Sequence, residues 1–161
     1  MIENNKVDIA LEYFNKAHKY QTEGRISEAA DNYRLSIKLF PTAEAHTSLA
    51  SIYGGLGKYE EAIEECYAAI DLDKDYGNPY NDIGNYLIQL ERFEEALLWF
   101  EKAINSPRYS ERYNPYFNIG HIYEKKGAWF RALEYYMDAL VINSEFEPAR
   151  KAVIKITTLL N

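Results

Sequence analysis

Apolar and polar positions follow the helical period along this chain, and they do so in short blocks. Between Tyr80 and Ile104 the chain reads YNDIGNYLIQLERFEEALLWFEKAI. Tyr80, Ile83, Gly84 and Leu87 recur at steps of three and four, which places them on one side of a helix that must be buried. Phe93, Ala96, Phe100, Ala103 and Ile104 repeat the rule after a polar break from Gln89 to Arg92, and such a break joins two antiparallel helices. Gly84 and Ala96 are the small members of otherwise bulky faces. The two backbones are therefore expected to approach closely there, and a larger residue at either place would cost about 1–3 kcal/mol through overpacking.

The same block returns along the chain. Aligning the small alanine of each second helix gives Ala29, Ala62, Ala96 and Ala132, spaced by 33, 34 and 36 residues. This register brings together Ala17, Ala50, Gly84 and Gly120, and likewise Tyr20, Tyr53, Leu87 and Tyr123. On the second helices it aligns Tyr33, Cys66, Phe100 and Tyr136, then Ser36, Ala69, Ala103 and Ala139. The turns align Gly24, Gly57 and Gly127, with Glu91 as the exception.

A period near 34 built from two helices, with small residues at these places and aromatics between them, resembles the tetratricopeptide repeat family. The resemblance runs from Ala10 to Phe146. It implies an all-α fold, a right-handed α-solenoid of four helix pairs at about 10–42, 43–76, 77–112 and 113–146, within a single domain spanning 1–161. Three positions depart from the family pattern: His46 stands where a large aromatic is usual, Lys16 replaces a leucine, and only Pro41 closes a repeat in the usual place.

Helix starts fit this register. Asn78-Pro79 and Asn114-Pro115 each place an N-capping side chain before a first-turn proline, and Thr42 is placed to cap the second repeat. The connection NSPRYSERYNP is two residues longer than the period requires and is expected to be a loop with Arg108 and Arg112 exposed. Beyond Phe146, Ala149, Val153, Ile156 and Leu160 share one face of a terminal helix at about 147–160, which would cap the open end of the stack. Ile154 and Leu159 lie off that face, and a weak self-association would run through them.

Composition narrows the partners. A chain of 161 residues, 47% hydrophobic and 27% charged, buries a real core and does not have the makeup of a disordered segment. A formal charge of −7 argues against a nucleic-acid backbone as ligand, because such binding is led by lysine and arginine. A neutral or basic protein partner is expected. The one cysteine excludes an internal disulfide and points to a reducing compartment. The opening MIENNKVDIA lacks the pattern of a secretory signal, and no run of about 18 apolar residues could span a bilayer. The expectation is a cytoplasmic protein with no membrane partner.

Residues capable of chemistry are present but not in chemical patterns. Cys66, His18, His46 and His121 include the types of a nucleophile and base, yet Cys66 falls in a core row and the four show no metal-ligand spacing. Gly54-Gly55-Leu56-Gly57-Lys58 resembles a phosphate loop in passing, but Ile52 stands where its first glycine is needed and Tyr59 replaces its hydroxyl residue. The pairs Glu60-Glu61, Glu64-Glu65 and Glu94-Glu95 lie on solvated faces. No catalytic residue, cofactor or metal is expected, and the chain is not read as an enzyme.

Each first helix carries a second side, about 100° round from its core side. It bears Leu11, Phe14, His18 and Gln21, then Glu44, Thr47, Ser51 and Gly54, then Asn78, Asn81, Asn85 and Ile88, then Asn114, Phe117, His121 and Glu124. The resemblance implies that this side lines a concave surface holding an extended or helical peptide. The groove residues expected to serve are Phe14, His18, Thr47, Ser51, Asn81, Asn85, Ile88, Phe117, Asn118 and His121. Asparagine amides both donate and accept, so a row of them suits a peptide backbone; Phe14, Ile88 and Phe117 add apolar contact, and Gly54 and Gly55 are expected to leave space for a bulky side chain. Some family members clamp an acidic chaperone tail with lysine, asparagine and arginine. Phe14, His18, Ser48, Asn78 and Asp82 occupy the matching places, so such tails should not bind. The expected function is a non-catalytic interaction scaffold; the alternative is a structural module docking through its convex face or its terminal helix.

Overall fold

The structure, a computed structural model, describes residues 2–160. Among these the chain forms α1 (Ile2–Thr22), α2 (Ile26–Leu39), α3 (Ala43–Gly55), α4 (Tyr59–Leu72), α5 (Asn78–Gln89), α6 (Phe93–Asn105), α7 (Tyr113–Lys125), α8 (Trp129–Ile142) and α9 (Glu147–Leu160). Each odd-numbered helix from α1 to α7 pairs with the helix that follows it; successive pairs stack, so that α3 meets α5 and α5 meets α7, and α9 closes on α8. The result is the solenoid of four helix pairs and a terminal helix that the repeat register implies.

Close approach explains the small residues. Ala17, Ala29, Ala50, Ala62, Ala96 and Ala132 are fully buried, as are Tyr33, Cys66 and Phe100 of the large-residue row. A Cβ on Gly84 would lie 2.5 Å from Phe100, and one on Gly120 would lie 2.7 Å from Tyr136. At Gly84 the close neighbour is not the backbone of the partner helix, as expected, but its Phe100 ring, which occupies the place of a side chain.

The four hairpin turns share one geometry. In each, the third residue past the helix donates its N–H back across the turn: Arg25 to Tyr20 O, Lys58 to Tyr53 O, Arg92 to Leu87 O and Ala128 to Tyr123 O, all at 2.8–2.9 Å. That bond requires the preceding residue to be left-handed, and φ is 75°, 75° and 73° at Gly24, Gly57 and Gly127 and 58° at Glu91. The one non-glycine turn therefore keeps the glycine conformation.

Three local expectations need correction. Neither Asn78 nor Asn114 caps its helix: α5 follows Gly77 and α7 follows Arg112 without a side-chain cap, and the Asn114 amide donates to Glu111 instead. Both helices begin one or two residues earlier because the prolines sit in the first turn, which takes each asparagine inside the helix. Thr42 does cap α3, accepting from Ala45 N at 3.1 Å. Arg112 is not a free surface arginine; its guanidinium donates to Ile104 O at 3.0 Å and Ser106 O at 2.8 Å, closing the carbonyl end of α6. Arg108 is exposed but pairs with Asp73 and Glu44.

The long connection does more than link repeats. Arg108 N donates to Asp75 O and Gly77 N to Arg108 O, a short parallel bridge that folds the loop back on the α4–α5 junction. Tyr109 is buried by this move, and a Cβ on Gly77 would lie 2.2 Å from it.

The two other departures from the repeat pattern find substitutes. His46 Nδ1 lies 2.6 Å from Glu65 Oε2, tying α3 to α4 where an aromatic would have packed. Lys16 is exposed and lies over the ring of Tyr20 at 5.7 Å.

Candidate concave groove

The first helices present the side chains of the groove. At its centre, Asn118 of α7 donates from Nδ2 to Asn85 Oδ1 at 2.8 Å and to Asn81 Oδ1 at 3.3 Å, both on α5. Asn81 is buried, while Asn85 and Asn118 are half-buried. The cluster holds α5 and α7 in register and leaves the Asn118 carbonyl and the Asn85 amide group uncommitted among the described residues.

Apolar positions flank it. Phe117 packs against Tyr136 at 5.3 Å and Phe146 at 5.4 Å between ring centroids, and Phe14 meets Tyr33 edge-on at 5.5 Å. Both rings are thus anchored and half-buried, and Ile88 joins the central core cluster in the same half-buried manner. At the first-repeat end, Val7, Ala10, Leu11, Phe14 and Phe40 line an apolar hollow of about 300 Å³. His18 and Ser51 are exposed. Thr47 is buried, with its hydroxyl donating to Ala43 O at 2.8 Å on its own helix. His121 is half-buried, and its pKa is lowered by burial first and by the nearby Lys125 second.

Space beside Gly54 is not free, contrary to expectation. A Cβ there would lie 2.3 Å from the ring of Tyr86, which leans from α5 onto α3. Gly55 has open space around it.

Asp82, one turn before Tyr86, is the carboxylate at the heart of this region. Burial is the main force raising its pKa, with Glu111 adding to the rise, and together they push it up to about 7 even though the Asn81 amide acts in the opposite direction. No lysine, arginine or histidine among the described residues forms an ion pair with it. Its charge reaches Tyr76, Tyr86 and Tyr109, all held above the usual tyrosine range chiefly by burial.

Two hydrogen bonds recur in register. Tyr33 donates to Gln21 Oε1 at 2.8 Å and Tyr136 to Glu124 Oε2 at 2.6 Å, each bond joining a buried second-helix tyrosine to the groove side of its own first helix. Where the tyrosine becomes Cys66 or Phe100, the facing residue becomes Gly54 or Ile88. Burial works against ionisation of Glu124, but hydrogen bonds from Lys155 and Tyr136 hold its carboxyl below the usual range.

The one cysteine is committed to the core. Cys66 is fully buried and burial pushes its thiol pKa far up, which leaves no thiolate for chemistry. No group of three or more His, Cys, Asp or Glu side chains among the described residues is placed to hold a metal ion. Nor is any helix among them long and apolar enough to cross a membrane.

The outer face carries features of its own. Tyr67, Tyr80 and Trp99 line a cleft of about 720 Å³, with Lys102 lying 3.8 Å over the indole. On α8, Phe130, Met137 and Val141 are 73%, 53% and 85% exposed, whereas the same register positions carry Glu94, Glu101 and Asn105 on α6.

Comparison with known proteins agrees with this architecture. A model described as tetratricopeptide repeat matches residues 41–108, and a second of the same description matches 113–146. A protein of Haemophilus influenzae is 29% identical over 117 residues, covering 71% of this chain; the chain spans 60% of that relative's length. The solved structure of Pseudomonas aeruginosa PilF superposes with a TM-score of 0.87 at 22% identity, covering 96% of this chain and 70% of PilF. The second repeat domain of Spaghetti (RPAP3), solved bound to an HSP90 peptide, gives a TM-score of 0.62 at 26% identity over 65% of this chain and 97% of that one.

Proposed function

The chain belongs to the tetratricopeptide repeat family, whose members bind other proteins, and from that premise we propose that its concave groove holds an extended or helical segment of a partner, without catalysis. The observation that carries this reading is the Asn81–Asn85–Asn118 cluster. Its internal bonds fix the amides in place before any ligand arrives, and the uncommitted carbonyl and amide group face the needs of a peptide backbone. Partly open Phe14, Ile88 and Phe117 supply apolar contact on either side, with His18, Ser51 and His121 along the rim and Thr47 supporting α3 from within.

The peptide is neutral or basic. The clamp positions Phe14, His18, Ser48, Asn78 and Asp82 lack a lysine or arginine, so an acidic chaperone tail has no counter-charge. The single buried cysteine fits a reducing compartment such as the cytoplasm.

Partner capture tests the groove. Asn85→Ala with Asn118→Ala should abolish capture of a cross-linked partner while the helical circular dichroism is unchanged, and an acidic C-terminal peptide should not compete. Undiminished capture by the double variant would refute the groove as the site.

A second reading, docking through the convex face, is favoured by Phe130, Met137 and Val141, which stand where α6 carries polar side chains. Weak self-association through Ile154 and Leu159, each 65% exposed on α9, belongs to the same reading. Wild-type protein that stays monomeric in light scattering at high concentration would remove the self-association.

A further inference from the structure

Asp82 has no structural use that explains it. It sits on α5 in the groove region, partly open to solvent, with no cationic partner among the described residues. The two arginines of the α6–α7 loop are engaged elsewhere: Arg108 with Asp73 and Glu44, and Arg112 with the carbonyls ending α6. Groups that couple electrostatically to it are Cys66 of α4, Tyr76 of the α4–α5 connection, Tyr86 of α5, and Tyr109 and Glu111 of the α6–α7 loop, with the neutral Asn81 amide beside it in the chain. None of these carries positive charge, and one is a second carboxylate. A burial penalty without a compensating ion pair is a feature that folding alone disfavours.

Resting on the groove reading above, we infer that Asp82 receives a cationic side chain, a lysine or arginine, of the bound peptide. Charge complementarity is the argument. The chain carries a formal charge of −7, the carboxylate is half-buried with no ion pair among the described residues, and an arriving ammonium or guanidinium supplies the partner that the fold withholds. A neutral side chain would leave the carboxylate desolvated and unpaired, so the pocket also discriminates against apolar or acidic residues at that position. Such a site is pH-sensitive in a defined direction. Binding the cation favours the ionised carboxylate, and because the empty site holds its proton up to about pH 7, affinity falls as pH drops through that value.

A random peptide display library selected on the wild-type protein and on Asp82→Asn tests this. Asparagine keeps the shape and removes the charge, and circular dichroism with thermal melting verifies that the variant is folded. Wild-type selection should enrich lysine or arginine at one position, and the enriched peptides should bind Asp82→Asn at least about tenfold more weakly. Their affinity for the wild type should also weaken from pH 8 to pH 6, with Asp82→Asn flat over the same range. Enriched peptides that compete for the groove but carry no cation, or that bind both proteins equally, would overturn the inference and leave the groove reading standing. A library in which nothing is enriched on the wild type over the Asn85→Ala/Asn118→Ala protein would bring down both.

Discussion

Exchanging the turn residues tests the repeat geometry most directly. Glu91 adopts φ 58° in a turn whose counterparts are Gly24, Gly57 and Gly127 at 73–75°. A left-handed residue bearing a Cβ is disfavoured by about 1–2 kcal/mol. Glycine gives back about 0.4–1 kcal/mol through the entropy of the unfolded chain. Glu91→Gly should therefore stabilise by about 0.5–1 kcal/mol, the difference of those two terms. Gly57→Ala and Gly127→Ala should destabilise by a similar amount, and here the structure removes the usual ambiguity. A Cβ at Gly24, Gly57 or Gly127 meets nothing within 4 Å, so any loss must come from the backbone and not from a clash. Glu91→Ala should be close to neutral, since both residues bear the same penalty, and Glu91→Asn should fall between Ala and Gly because asparagine tolerates this conformation. Urea unfolding followed by circular dichroism would read these as shifts of the midpoint at constant slope. A destabilised Glu91→Gly together with a neutral Gly57→Ala would refute the reasoning, because it would mean that the turn bond does not impose the left-handed residue.

Two other substitutions probe the packing and the buried charge. Gly84→Ala places a methyl 2.5 Å from the fully buried Phe100 ring and should destabilise by about 1–3 kcal/mol; a neutral result in the same unfolding assay would show that the helices can separate cheaply. Asp82→Asn should stabilise the free protein in a pH-dependent way. The folded carboxyl titrates near 7 against 3.8 for the ordinary group, so the folded state holds its proton more tightly than the unfolded chain and wild-type stability falls as pH rises from about 4 through about 7. That rise corresponds to about 4 kcal/mol at most, and water reaching the partly open carboxylate reduces it to about 1–3 kcal/mol. The advantage of Asp82→Asn over wild type should be near zero at pH 4 and largest at pH 8; an advantage that does not change with pH would exclude the charge as its cause.

Under the proposal above, a cost of this kind at Asp82 and its use in binding are two sides of one arrangement. Residues that weaken a fold without serving it concentrate where ligands bind, and Asp82 directly follows Asn81 of the asparagine cluster.

Sequence alone carried the repeat. Small residues at Ala29, Ala62, Ala96 and Ala132 can recur at this period only if helices must approach at those points, and glycine recurs at Gly24, Gly57 and Gly127 because a turn needs φ above zero there. Both are short-range requirements, written into single positions. Coupling between helices was less legible. The pairing of Tyr33 with Gln21 and of Tyr136 with Glu124 could have been read from the aligned repeats, since Gly54 and Ile88 appear where the tyrosine is lost. Nothing local, however, says that Asn118 reaches back 33 residues to Asn85, that Tyr86 fills the space beside Gly54, or that Tyr109 folds under Gly77. These depend on how one helix pair stacks on the next, a relation between side chains about one repeat apart in the chain. The period specifies which faces meet; only the stacked pairs decide which side chains on those faces find each other, and which, like Asp82, are left without a cationic partner among the described residues.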